Sequence, residues 1–181
     1  KCYPKTKNKI ILTLPARVTR WKGQKDFLKI ISELTKKFPS VIGLIIGEVN
    51  KDKENFLSEL KEKVIELGIE NNILFIEHRS DIKNIMSISS IVFSLSLEPE
   101  AFGRTTMESL KLGVPVIGYD HGGVGEQLRE IFPEGGIQKG DLTQAALLAA
   151  KWIEAPPRVP FSELFSLDKM LENTLKVYKS A

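Results

Sequence analysis

The chain has one cysteine in 181 residues, Cys2, so it cannot form an internal disulfide. The sequence therefore gives no sign of an oxidising compartment, and a cytoplasmic setting is the default expectation. No apolar run approaches the about 20 residues that a membrane-spanning helix needs, and no signal-peptide pattern is present. We therefore expect any membrane contact to be peripheral or to be made by another chain.

Excess charge of one sign is also lacking. The 26 basic and 23 acidic residues leave a net charge of +3, which is too small to argue for nucleic acid as a partner. No basic run is interleaved with aromatic residues. The two histidines, His78 and His121, have no cysteine near them in the sequence, so no metal-ligand pattern is present.

Two common nucleotide-binding motifs are absent. A dinucleotide oxidoreductase should carry G-x-G-x-x-G after its first strand, where residues 14–23 read LPARVTRWKG. The pattern G-x-x-x-x-G-K-[ST] is also missing, which argues against a P-loop enzyme.

The chain opens without an initiator methionine on the polar stretch KCYPKTKNK. We expect residues 1–9 to be the linker start of a fragment, with a processed full-length protein as the alternative.

Short β-branched runs alternate with amphipathic helical patterns along the chain. Strands are predicted at residues 10–14, 41–47, 73–76, 91–95 and 115–118, with a last short strand within 135–140. Helices are predicted at 24–37, about 56–67, within 79–89, and at 104–112, 126–131, 142–154 and 166–178. This alternation predicts an α/β fold with a Rossmann-like, doubly wound parallel sheet that binds ligands at the carboxyl ends of its strands.

The stretch 91–125 places a strand, a turn with glycine, a helix and a second strand in succession. In the first turn of that helix the backbone N–H groups of Thr105 and Thr106 lack partners within the helix, which predicts an anion site. Glu100 lies in the turn and Glu108 about one helical turn, ~5 Å, beyond the helix start. A carboxylate there can accept hydrogen bonds from both ribose hydroxyls of a nucleotide whose diphosphate sits on the helix. The spacing suits a nucleotide diphosphate joined to a hydroxyl-rich group.

The segment EPEAFGRTTMESLKLGVPVIGYDHGGVGEQL, residues 98–128, resembles the E-x7-E signature of the retaining family 4 glycosyltransferases. The resemblance extends over about residues 10–178 and matches the carboxy-terminal of the two Rossmann-like domains of the GT-B fold. It implies a nucleotide-sugar-binding domain at 10–155 and a carboxy-terminal crossover segment and helix at 156–181. The amino-terminal, acceptor-binding domain of that fold is the partner we expect to be missing.

The resemblance also implies roles for four charged side chains. Arg17 and Lys22 are expected to clamp the donor diphosphate and to stabilise the negative charge that gathers on it when the sugar leaves. Glu108 is expected to bind the donor ribose, and Glu100 to contact the transferred sugar. The alternatives are solvated loop charges for Arg17 and Lys22 and an exposed helix residue for Glu108. For Glu100 the alternative is a favourable charge near a helix N-terminus. GT-B members of the family need no metal, so we expect neither a metal nor a cofactor.

Further donor-binding candidates lie in the turns that follow the strands. Phe102 and Gly103 shape the turn before the helix, where glycine allows close backbone approach, and Arg79 is expected to border the nucleobase. The N–H groups of Thr105 and Thr106 are candidate phosphate donors, and Gly122 and Gly123 form the predicted loop after the fifth strand. Each residue also has a plainer interpretation as a turn former, a helix start or an exposed charge.

The sequence departs from the family pattern at a few positions. His78, Ala16 and Ala101 stand where glycine is frequent, which leaves the fine shape of the pocket open. Arg104 stands where the family often has an apolar residue. It either biases the choice of donor sugar or is simply exposed.

The last predicted helix, within FSLDKMLENTLKVY at residues 165–178, follows the proline-rich link APPRVP. It resembles the segment with which GT-B chains cross back onto the amino-terminal domain. Its apolar face, which includes Leu167, Met170, Leu171, Leu175 and Tyr178, would then lack its partner in this chain. The alternative is a helix packed on the sheet of its own domain.

The function that the resemblance implies is donor binding in a retaining glycosyltransferase. The whole enzyme would move a hexose-type sugar from UDP, GDP or ADP to a hydroxyl acceptor, in the synthesis of a cell-envelope glycan such as lipopolysaccharide. It would work in the cytoplasm, with peripheral contact to the inner face of the membrane allowed. For this chain alone we expect donor binding with little or no transfer. The alternative function is a non-catalytic sugar-nucleotide-binding or assembly module.

Overall fold

A computed structural model describes residues 9–48 and 54–180. Residues 1–8 of the linker predicted at 1–9, and residues 49–53, lie outside the described residues. The strands are β1 (Ile10–Pro15), β2 (Val41–Ile46), β3 (Ile73–Ile76), β4 (Ile91–Ser94), β5 (Val116–Tyr119) and β6 (Gly136–Ile137). The helices are α1 (Gln24–Lys37), α2 (Glu54–Glu66), α3 (Ile82–Ser87), α4 (Arg104–Lys111), α5 (Gly122–Ile131), α6 (Leu142–Glu154) and α7 (Leu167–Ser180).

The strands form one parallel sheet in the order β3-β2-β1-β4-β5-β6, which confirms the predicted fold class. Every residue of β2 and of β4 is buried, as expected for parallel strands covered on both faces. From β1 the chain runs outward to β3 and then returns to the other side of β1 at β4. The strand order therefore reverses between β1 and β4, and loops diverge there to leave a crevice.

Side chains of successive strand residues point to opposite faces of the sheet and build two apolar clusters. Leu12 and Leu14 of β1 join the larger cluster, whereas Ile11 joins the smaller one. In the larger cluster Phe27 of α1 packs edge-on against Phe93 of β4, with ring centroids 5.3 Å apart. This contact packs α1 against the sheet at β4.

Helix α5 begins at Gly122 rather than at the predicted Glu126. The predicted loop at Gly122 and Gly123 is therefore wrong, and both residues belong to the first helical turn. Glycine is a poor helix former, so the sequence pattern did not indicate a helix there. A Cβ at Gly123 would lie 2.6 Å from Phe102 Cα, so glycine allows this turn to pack against the loop before α4.

The N-terminus of α3 lacks a side-chain cap. Asp81 occupies the N-cap position, but its side chain caps no helix N–H. It binds Arg79 instead, with Arg79 Nε 2.6 Å from Asp81 Oδ1. A carboxylate that accepts hydrogen bonds from a guanidinium gains more than one that accepts from a neutral amide, which explains the choice.

The apolar residues of α7 are exposed, among them Leu175 at 57% and Tyr178 at 78%. The alternative that α7 packs on the chain's own sheet is therefore wrong. The link at 156–160 leads the chain away from α6 without a regular element.

Over the described residues, no helix has the length and apolarity that crossing a membrane requires.

We predict that Gly23→Ala destabilises the domain far more than Gly113→Ala. Both glycines have positive φ, +75° and +73°, so alanine is strained at either position. A Cβ at Gly23 would lie 2.0 Å from the Leu95 carbonyl oxygen, whereas nothing lies within 4 Å of one at Gly113. We expect losses in the free energy of unfolding of about 3 kcal/mol or more and about 1 kcal/mol, respectively. Urea titration measures both, and equal losses would contradict the close approach.

We also predict that α7 contributes little to the stability of this chain. Replacing Met170, Leu171 and Leu175 together by glutamine should leave the free energy of unfolding within about 1 kcal/mol of wild type, because these side chains are exposed. Leu128→Ala in α5, which removes a fully buried side chain, is the control and should cost about 2–5 kcal/mol. A triple-variant loss as large as the control's would show that α7 is part of the core.

Candidate functional site

Two adjoining cavities open at the carboxyl ends of β1 and β4, where the strand order reverses. The first, which we name the Glu100 cavity, has a volume of about 450 Å³ and is lined by Lys22, Glu100 and Phe102 among others. The second, the Glu108 cavity, has a volume of about 330 Å³ and extends toward β2 and β3. Both cavities are lined by Pro15, Ala16, Arg17, Arg104 and Thr105. Together they form one cleft with a shared junction.

The three cations of the β1–α1 loop are directed to different partners. Arg20 reaches α2, where its Nη1 lies 3.0 Å from Glu59 Oε2. Hydrogen bonds from Arg20 and Lys25 lower the pKa of Glu59 to about 2. Lys22 turns toward Glu100, whereas Arg17 is exposed at the junction and forms no ion pair with a described residue. The loop therefore supplies the cleft with Arg17 and Lys22 but not with Arg20.

The carboxylate of Glu100 is held by groups from two loops. Its Oε1 lies 2.8 Å from Lys22 Nζ and also accepts a hydrogen bond from the hydroxyl of Ser96. The backbone is held as well, because Gly123 N–H donates to the Glu100 carbonyl oxygen at 2.7 Å. Lys22 and Glu100 side chains are only 12% and 22% exposed, so water screens their attraction poorly. Glu100 is thus oriented before any ligand arrives.

Gly122 and Gly123 contact the loop that carries Glu100, which we name the Glu100 loop. They line neither cavity. A Cβ at Gly122 would lie 2.8 Å from the Glu100 carbonyl oxygen, and one at Gly123 2.8 Å from that of Ala101. The structure thus gives both glycines a packing role behind the Glu100 loop. Direct contact with the donor stays a prediction for them.

A buried tyrosine and two partly buried side chains behind the Glu100 loop extend its support, and their contacts were not predicted from the sequence. His121 Nε2 lies 2.8 Å from the Ser96 carbonyl oxygen, and the His121 ring packs edge-on against Tyr119. The Tyr119 hydroxyl donates to Asp26 Oδ2 at 2.7 Å. Burial, and then Asp26, raise the pKa of Tyr119 far above its ordinary value, so the phenol stays a proton donor. These partners are 25 and 93 residues apart, so no local sequence signal indicates them.

The start of α4 has no side-chain cap. Gly103 holds the N-cap position with φ +79°, and a Cβ there would lie 2.7 Å from Val124 Cγ2. Thr105 lines the junction, but Thr106 is fully buried and its hydroxyl has no hydrogen-bond partner among the described residues. The cleft therefore meets the first turn of α4 at Arg104 and Thr105.

The Glu108 cavity holds the other predicted site residues. Glu108 is half-buried on α4, lines this cavity and forms no ion pair with a described residue. Arg79 also lines it, with its guanidinium bound to Asp81. That contact lowers the pKa of Asp81 below its ordinary value. The structure thus brings Arg79, Arg17 and Glu108 to one cavity.

Phe102 stands on the rim of the Glu100 cavity and is 43% exposed. Its ring packs edge-on against Phe165, with centroids 6.2 Å apart. Phe165 lies in the segment between α6 and α7. The loop that carries Glu100 is therefore in contact with the chain leading to the last helix.

The cleft as a whole combines positive charge at its junction with carboxylates in both cavities, Glu100 in the first and Glu48 and Glu108 in the second. Such a site can bind an anion that is flanked on both sides by groups that donate hydrogen bonds, as hydroxyls do. Among the described residues, no group of three or more His, Cys, Asp or Glu side chains is placed to hold a metal ion.

The family model for glycosyl transferases group 1 matches residues 2–158, so this chain belongs to that family. Its sequence is similar to the lipopolysaccharide core biosynthesis mannosyltransferase LpsB of Rhizobium meliloti (strain 1021). The two are 28% identical over 159 residues, which are 87% of this chain and 45% of LpsB. The chain thus spans about half the length of this relative.

Two solved structures share the fold. Anabaena Alr3699/HepE, solved in complex with UDP and glucose, has a TM-score of 0.86 and 22% identity, covering 97% of this chain and 50% of that chain. The carboxy-terminal domain of LpcC, a glycosyl transferase group 1 family protein of Francisella tularensis, has a TM-score of 0.71 and 23% identity, covering 80% and 75%. The chain therefore has the fold of the carboxy-terminal domain of GT-B glycosyltransferases.

We predict that Lys22 and Glu100 are energetically coupled in the absence of any ligand. A double-mutant cycle with Lys22→Met and Glu100→Gln should give a coupling energy of about 1 kcal/mol or more, because the pair is largely buried. The control pair is Lys36 and Glu33 on α1, at 69% and 61% exposure, where we expect about 0.5 kcal/mol or less. Urea unfolding measures both cycles. Equal coupling energies would show that burial does not strengthen the Lys22–Glu100 contact.

Proposed function

We propose that the whole protein is a retaining glycosyltransferase that moves a hexose-type sugar from a nucleoside diphosphate to a hydroxyl acceptor. The observation that carries the proposal is the divided cleft: Glu100 and Glu108 each line their own cavity, and Arg17 lies where the cavities meet. A nucleotide sugar has the same order of parts, with a diphosphate between two hydroxyl-rich groups. In this proposal the ribose lies at Glu108 and the transferred sugar at Glu100.

Each side chain of the cleft has its own role in this proposal. Arg17 and Lys22 offset the negative charge that builds up on the diphosphate as the bond to the anomeric carbon breaks, which lowers the barrier. Glu108 accepts hydrogen bonds from the ribose hydroxyls and fixes the nucleoside. Glu100, oriented by Lys22 and Ser96, accepts hydrogen bonds from the transferred sugar. Thr105 offers a backbone N–H to the phosphates from the start of α4.

The acceptor would be bound by an amino-terminal domain that this chain does not contain. Two observations support this part of the proposal. The matched regions are 45% of LpsB and 50% of HepE, and the apolar residues of α7 are exposed, as expected if another domain covers them. We propose a cell-envelope glycan as the product, because LpsB is named for lipopolysaccharide core biosynthesis. The setting we propose is cytoplasmic, with peripheral contact to the membrane.

Metal-free calorimetric titration of this chain with UDP, GDP and ADP tests the donor site. We expect one of the three to bind. Arg17→Ala should weaken that binding about tenfold or more, because a hydrogen-bonded charge contact to phosphate is lost. Glu108→Ala should weaken it to a similar degree through loss of the ribose contacts.

The matched controls are Arg158→Ala and Glu62→Ala, which remove exposed charges outside the cleft and should leave the affinity unchanged. Thermal melting of each variant verifies that it folds. If none of the three nucleotides binds wild type, the donor site proposed for this chain is wrong. If the control variants lose as much affinity as the cleft variants, the binding site lies elsewhere.

A further inference from the structure

Arg104 stands at the junction of the cleft, and the proposed function leaves it without a role. It is the first residue of α4 and, with Arg17, supplies the charged side chains that line both cavities. The other shared residues, Pro15, Ala16 and Thr105, are uncharged. Any ligand that occupies both cavities must therefore pass Arg17 and Arg104.

The charges around the cleft distinguish Arg104 from most of its neighbours. Lys22 is paired with Glu100, and Arg79 is paired with Asp81. Arg17 and Arg104 form no ion pair with a described residue, and both are exposed. Uncompensated positive charge in the cleft is thus concentrated at the junction.

We infer that Arg104 binds the diphosphate of the donor together with Arg17. This inference rests on the proposed function, since it takes the ligand to be a nucleotide sugar. In such a donor the diphosphate joins the nucleoside to the sugar, so it must lie where the two cavities meet. The planar guanidinium offers two parallel N–H donors to phosphate oxygens, which fixes the orientation of the group as well as its charge.

The position of Arg104 argues against the two interpretations that its sequence leaves open. A side chain that selects the donor sugar would need to line the Glu100 cavity alone, but Arg104 lines the Glu108 cavity as well. Simple exposure would not place an unpaired cation beside Arg17 in a cleft. Both cations line the same junction, and an anion bound there would relieve their mutual repulsion.

The inference predicts a loss of selectivity for diphosphate over monophosphate. Wild-type chain and Arg104→Gln are titrated calorimetrically, without metal, with UDP, GDP and ADP and with UMP, GMP and AMP. For the base that wild type binds, Arg104→Gln should weaken the diphosphate about tenfold or more and the monophosphate clearly less. Arg104→Lys keeps the positive charge but loses the two parallel N–H donors of the guanidinium. Its affinity for the diphosphate should therefore lie between that of wild type and that of Arg104→Gln.

Arg158→Gln, which removes an exposed cation outside the cleft, is the matched control and should change neither affinity. Because Arg104 is exposed, its variants should melt at the wild-type temperature. If Arg104→Gln binds the diphosphate as tightly as wild type, or loses equal affinity for both phosphates, the inference is overturned while the proposed function stands. If wild type binds none of the nucleotides, the proposed function fails and the inference fails with it.

Discussion

The reversal of strand order between β1 and β4 is the constraint on which the cleft depends. Because the chain leaves β1 in one direction along the sheet and returns at β4 on the other side, the loops after these adjacent strands diverge. The loops still meet near their ends, where Leu97 N–H donates to the Trp21 carbonyl oxygen and Gly23 packs on Leu95. The space left between them is the Glu100 cavity, and the edge toward β2 and β3 is the Glu108 cavity.

Some charged side chains of the cleft form ion pairs and others do not. The pairs Lys22–Glu100 and Arg79–Asp81 neutralise charge locally and hold loops in place, whereas Arg17, Arg104 and Glu108 form no ion pair with a described residue. A binding site needs both paired and unpaired charges. Loops held by ion pairs lose little conformational entropy when a ligand binds, and unpaired charges supply the attraction for it.

The sequence predicted the regular elements well where the pattern was apolar and periodic. The bounds of α1, α6 and β3 agree with the structure, and the strand and helix around Glu100 and Glu108 differ only at their ends. The start of α5 was missed because its first turn contains Gly122 and Gly123, which disfavour helix unless a close neighbour requires their small size. That neighbour, the Glu100 loop, is set by tertiary packing.

The sequence by itself determined the fold class, the family resemblance and the identity of the charged residues near the cleft, because these depend on local periodicity and on motif spacing. Only the tertiary structure decided which cations are paired. Arg17, Arg20 and Lys22 stand within one loop, yet Arg20 binds Glu59 on α2, Lys22 binds Glu100 and Arg17 is left at the junction. Such a division depends on residues far away in the chain, since an ion pair forms with whichever carboxylate the fold brings within a few ångströms.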